Sequence, residues 1–178
     1  MPELSTAIWP LPCQQEGVEI VALDPSSTAI GWVAGDQWNV FDSGVFVPKG
    51  HAVERLIQIW NWLYNWYPPV VVGFEIPRAG RRNPDTDRLL GAVEYAIRVW
   101  CYSIECHCVP INPSTVKATG LHKDALLLVE KIKGAPLDRK HPGDEADAFG
   151  VWHATVARWK QVGQEKLADA ANQQEPPA

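Results

Sequence analysis

Two short apolar runs in this chain each finish on a carboxylate. Val18-Glu19-Ile20-Val21-Ala22-Leu23 leads to Asp24, and Val70-Val71-Val72-Gly73-Phe74 leads to Glu75. Runs of this length, rich in β-branched residues and bounded by turn formers, suit strands covered on both faces of a sheet. In an open α/β sheet, sites form at the carboxyl ends of the strands. If these two strands are parallel neighbours, Asp24 and Glu75 stand together at such an end.

The remaining pattern fits that arrangement. Ile30 to Ala34 and Trp38 to Val47 follow the first strand after short turns and complete a three-stranded meander. Between His51 and Tyr67, apolar positions recur at helical spacing until Pro68-Pro69 interrupts them. The Val70 to Glu75 strand, an arginine-bearing loop, a helix from about Asp85 to Tyr102 and a strand from Ser103 to Val109 come next. Asn112-Pro113 opens a short helix that Gly120 ends; further helices are expected over about His122 to Lys133 and Gly143 to Val162. Alternating helices and strands predict an α/β fold. The order is that of a ribonuclease-H-like fold: a five-stranded mixed sheet, made of the meander plus two parallel strands, flanked by helices. Trp60, Trp62 and Trp66 are expected in the core, although stacking on bases is a second use for exposed aromatics.

The 178 residues suit one domain with a single core. Residues 1–17 are expected to be an N-terminal extension, 18–162 the folded domain and 163–178 a flexible, Ala/Gln/Pro-rich tail. No apolar stretch approaches the roughly 20 residues that span a bilayer, and Met1 to Gln15 lack the basic charge of a targeting signal. A cytoplasmic location is the resulting expectation. Cys13, Cys101, Cys106 and Cys108 do not have the paired spacing of a structural zinc site and are expected to be free thiols. The net charge of −5 conceals an uneven distribution: residues 78–140 hold 11 basic and 7 acidic side chains, whereas the flanking segments are acidic. Beyond a Debye length of about 8 Å local charge governs phosphate binding, so the overall sign does not exclude a nucleic-acid partner.

Asp144 and Asp147 share one face of one helical turn. Acidic residues also favour helix N-termini for electrostatic reasons alone. Together with Asp24 and Glu75, however, they would make four carboxylates that repel one another unless a cation joins them. Hard oxygen donors without a matching His/Cys set suit Mg²⁺, with Mn²⁺ as a substitute. Two such ions per site can activate water and stabilise a leaving oxygen, which for a phosphodiester yields 5′-phosphate and 3′-hydroxyl ends.

Val21 to Trp32, Phe74-Glu75, Pro113 to Gly120 and Asp144 to Ala148 resemble, in order and spacing, the motifs of the RuvC family of Holliday junction resolvases. The resemblance covers about residues 18–160. It implies a crossover junction endodeoxyribonuclease that acts as a homodimer on branched DNA, especially four-way junctions, with a role in recombination and repair. It also implies that Asp24, Glu75, Asp144 and Asp147 bind the catalytic metals and that Lys117 and Lys123 contact phosphates. The helix from Asp85 to Tyr102 resembles the family's dimer helix. The chain departs from the pattern at three places. Ser26 stands where the family has glycine after Asp-Pro, the segment between Gly120 and His122 is shorter, and Arg78 replaces an aromatic three positions after the glutamate. Arg78, Arg81 and Arg82 are therefore candidate DNA contacts. A junction-binding protein without catalysis is an alternative. So is an actin-like nucleotide-binding protein, whose phosphate hairpin resembles Asp24 to Gly31 but which needs a second lobe. A helicase partner does not follow from these residues.

Overall fold

The computed structural model describes residues 17–26, 28–77 and 84–172, with 163–172 described by backbone only. Five strands form one mixed sheet: β1 (Ile20–Pro25), β2 (Ile30–Gly35), β3 (Val40–Phe46), β4 (Val71–Glu75) and β5 (His107–Ile111), in the spatial order β3-β2-β1-β4-β5. β1, β2 and β3 are an antiparallel meander, while β4 runs parallel to both β1 and β5. This is the five-stranded α/β arrangement expected from the sequence. Among the described residues no helix is long and apolar enough to cross a membrane.

Strand alternation sends side chains to two cores. Val21, Leu23, Trp32, Val72 and Phe74 face α1 (Ala52–Tyr64) and α2 (Pro84–Ser103), and Trp62, Ile97 and Trp100 of these helices are buried there together with Trp66, just past the end of α1. Trp62 stacks on Phe46 with ring centroids 4.8 Å apart, and Trp66 meets Trp32 edge-on at 5.3 Å. These two tryptophans are core residues and not base-stacking platforms. On the other face, Ile20, Ala22, Val33, Val71 and Ile111 pack against α5 (Pro142–Asn172) through Ala146, Phe149 and Trp152.

α5 lies very close to the sheet. A Cβ at Gly73 of β4 would overlap the side chain of Thr155 on α5, and Thr155 is fully buried. A residue with any side chain at that point would push the helix outward.

Three boundaries differ from the sequence reading. The fifth strand begins at His107, because α2 continues to Ser103 with Trp100 and Cys101 buried, and Glu105 turns the chain at φ 56°. β5 then extends through Pro110, which an edge strand accommodates because its outer side needs no donor. The expected helix over 122–133 divides into a 3₁₀ turn, Lys123–Ala125, and α4, Leu126–Lys133. His122 caps the first of these, its Nδ1 accepting the Asp124 N–H at 3.2 Å. The last helix continues to Asn172, past Val162. Cys101, Cys106 and Cys108 are free thiols, as expected; Cys13 lies outside the described residues.

The close approach of α5 predicts opposite outcomes for two glycine substitutions. Gly73→Ala should destabilise the fold by about 1–3 kcal/mol through overpacking. Gly91→Ala, at a helical position of α2 where an added Cβ meets nothing within 4 Å, should stabilise by about 0.5–1 kcal/mol. Urea unfolding of the two variants checks both signs, and a Gly73→Ala protein as stable as the native one would show that the helix is not seated as described.

Candidate active site

The parallel register pairs Leu23 with Phe74. The next residues are Asp24 and Glu75, so the two carboxylates sit side by side at the ends of adjacent strands. By alternation they share the face of Ala22 and Val71, which is the face that α5 covers. The register of β1 and β2 places Gly31 opposite Asp24. A Cβ there would overlap the Asp144 backbone carbonyl, so the glycine allows the first turn of α5 to descend onto the strand that faces Asp24.

The result is a cleft of about 500 Å³ lined by Asp24, Glu75, Asp144 and Asp147 together with Lys117 and Lys123. All four carboxylates and both lysines singled out in the sequence therefore converge. Arg78, Arg81 and Arg82 lie outside the described residues. His122, Lys140 and His141 also line the cleft, so three lysines and two imidazoles stand with its carboxylates.

Serine in place of glycine after Asp24-Pro25 has a local explanation. The Ser26 N–H donates to the Ala29 carbonyl at 2.8 Å, and its hydroxyl donates to the same carbonyl at 2.9 Å and accepts the Ala29 N–H at 3.0 Å. The side chain thus supplies the turn's own hydrogen bonds.

Asp147 is held by the Lys123 N–H, which donates to its Oδ1 at 2.8 Å and ties the 3₁₀ turn to α5. Burial pushes its carboxyl above the usual range, opposed by the Lys123 N–H and by the Lys123 charge, with Asp144 adding to the rise. Asp144 contacts His141, whose Nδ1 lies 3.2 Å from Oδ2.

The donor set suits a hard divalent cation in kind, since it consists of carboxylates and one of them is half-buried and reluctant to ionise alone. Among the described residues no three His, Cys, Asp or Glu side chains are already drawn together closely enough to hold a metal ion.

Known structures share this architecture. Thermus thermophilus RuvC in complex with a Holliday junction substrate superposes with a TM-score of 0.61 at 20% identity, over 79% of this chain and 94% of that one. A second Thermus thermophilus RuvC structure gives 0.58 at 21% identity, over 81% and 96%. This chain has the RuvC fold. At such low identity the likeness is one of architecture. No protein-family model and no curated protein matches the sequence.

Glu145, Lys140 and His141 were not singled out in the sequence. Glu145 looks like one more solvated acid beside Asp144, yet it falls on the stripe of Ala148, Phe149 and Trp152 at helical spacing, all of them buried. That periodicity was the available signal.

The raised Asp147 carboxyl has a consequence for stability. A carboxyl whose folded pKa exceeds its unfolded value weighs against the fold above that folded pKa, and the effect vanishes as pH falls below the unfolded one. Without divalent metal, Asp147→Asn should therefore melt a few degrees higher than the native protein near pH 7. The gap should shrink as the pH is lowered towards 3. Scanning calorimetry across that range checks it, and a gap that widened on acidification would contradict the assignment.

Proposed function

We propose that the protein is a metal-dependent, structure-selective DNA endonuclease that resolves four-way junctions. The observation that carries this reading is the convergence of Asp24, Glu75, Asp144 and Asp147 in one cleft edged by Lys117 and Lys123, on a fold shared with a junction-bound RuvC structure. A cleft that combines carboxylates with lysines suits a phosphodiester better than it suits a neutral or cationic substrate, because the lysines compensate the phosphates while the carboxylates can hold cations.

In this reading the four carboxylates hold Mg²⁺, or Mn²⁺ in its place. Bound there, the ions would supply a nucleophilic water and charge stabilisation for the departing 3′ oxygen. The chain's own groups do the rest. Asp24 and Glu75, fixed by the β1–β4 register, orient the floor of the cleft. Lys117, on the last turn of the short helix α3 (Pro113–Ala118), and Lys123 contact phosphates beside the scissile bond. Their charges position the strand without reading its sequence. Arg78, Arg81 and Arg82 are proposed to grip further phosphates.

Two cuts on opposed strands require two cleft copies. A homodimer with two-fold symmetry supplies them, and α2, which carries the exposed Tyr95 and Tyr102, is the proposed contact helix.

Cleavage of an end-labelled four-way junction and of its linear duplex control tests the reading. Paired nicks confined to the junction are expected with Mg²⁺ and none with EDTA. Asp147→Asn should cut at least about 100-fold more slowly, in line with the loss of a transition-state electrostatic group, while it still binds the junction. Junction binding by the native protein without cutting would instead support a non-catalytic binder, and binding of junction and duplex alike would dismiss the proposal.

A further inference from the structure

Glu145 follows Asp144 directly, yet it does not face the cleft: its side chain is fully buried (0% exposed). Both carboxylate oxygens are engaged. Oε1 accepts from the Ser43 hydroxyl of β3 at 2.6 Å and from Lys133 Nζ, at the end of α4, also at 2.6 Å. Oε2 accepts the Asp138 N–H at 2.6 Å. One side chain thereby ties together β3, α4, α5 and the loop that connects the two helices.

A buried ion pair is a poor choice if stability alone matters. Desolvating two charges offsets their attraction, and apolar residues of similar volume often give an equal or more stable fold. The structure shows what else the charge achieves. Beyond Glu145, the Asp138 carboxylate accepts the N–H groups of Lys140 and His141 at 2.8 and 2.7 Å. Lys140 and His141 line the cleft. A continuous set of hydrogen bonds therefore runs from the buried carboxylate to the backbone that carries a cleft-facing lysine.

We propose that Glu145 is a positioning residue: paired with Lys133, it fixes the Leu137–His141 loop so that Lys140 stands in the cleft and contacts a DNA phosphate. The identity of the ligand rests on the junction-resolving reading above; the clamp itself does not. Lys140 is long and exposed, and an unanchored lysine contributes little directional binding. Anchoring its backbone makes it a fixed third cation beside Lys117 and Lys123.

The test combines hydrogen exchange with salt-dependent binding of a synthetic four-way junction in EDTA, where no cleavage interferes. It compares Glu145→Met/Lys133→Met, which removes both charges together, with Lys140→Ala and with the triple variant. In the double variant, the amides of Asp138, Lys140 and His141 should exchange at least tenfold faster, with the melting temperature within a few degrees of native. The slope of log K against log salt should become shallower by about 0.9, the loss of one phosphate contact, in both the double variant and Lys140→Ala. The triple variant should be no shallower than either. If the double variant fails to fold, Glu145→Gln, which keeps the volume and one acceptor oxygen but removes the charge and turns the other acceptor into a donor, should show the same changes at smaller amplitude. Unchanged loop exchange overturns the clamp. A native slope in the double variant, or a further loss of slope in the triple one, overturns the phosphate role. Either result with normal junction binding leaves the proposed function intact, whereas a native protein that does not bind the junction at all removes both the phosphate role and that function and leaves the exchange result to judge the clamp alone.

Discussion

The seating of α5 against the sheet is the constraint on which the rest of this structure depends. At Gly31 and Gly73 there is no space between strand and helix for even one methyl group. Gly150, on the helix itself, is pressed in the same way against the Leu121 carbonyl. Because helix and sheet meet at backbone distance, the first turn of α5 comes down beside the carboxyl ends of β1 and β4. A larger residue at either strand position would raise the helix and separate Asp144 and Asp147 from Asp24 and Glu75. Burial of Phe149 and Trp152 beneath α5 supplies the attraction; the glycines determine how far it can bring the helix in.

That geometry concentrates negative charge, and the surroundings treat the acids of α5 differently. Asp144 and Glu145 occupy the first turn of α5, where the helix dipole favours acids by roughly 0.3–1 kcal/mol each at exposed sites. Asp147 lies one turn further in, where burial is the larger effect and raises its carboxyl. Glu145 has been taken out of the competition altogether, since Lys133 and two hydrogen-bond donors satisfy it away from the cleft. Two adjacent acids in the sequence thus have opposite fates, one facing the cleft and one facing the core. The helical turn of 100° per residue separates them.

Much of this was legible in the sequence, for identifiable reasons. The strand ends at Asp24 and Glu75 could be read because buried parallel strands are continuous apolar runs with an abrupt polar stop. The i, i+3 spacing of Asp144 and Asp147 placed them on a common face without knowledge of the fold. What escaped was non-local. The boundary between α2 and β5 falls later than composition suggests, because the burial of Trp100 and Cys101 and the Ser103 hydroxyl's bond to the Trp100 carbonyl keep the last turn helical. Glu145 was overlooked because its partner Ser43 lies 102 positions away. Lys140 and His141 depend on the hydrogen bonds of Asp138, a pattern local in sequence but given meaning only by where α5 begins.

The order in which the cleft's parts occur along the chain has a consequence for how the protein comes into being. Asp24 belongs to the first strand, Glu75 to the fourth, and Asp144 with Asp147 to the final helix. The β1–β4 pairing is parallel and must span an intervening helix, so it is a slow, non-local contact. On the ribosome, an emerging chain could complete the meander and even the parallel pair while still lacking half of its acidic residues. The cleft therefore lacks two of these four carboxylates until α5 docks. Docking of α5 is in this sense the step that completes the site, and chain topology alone sets its place in the sequence of events.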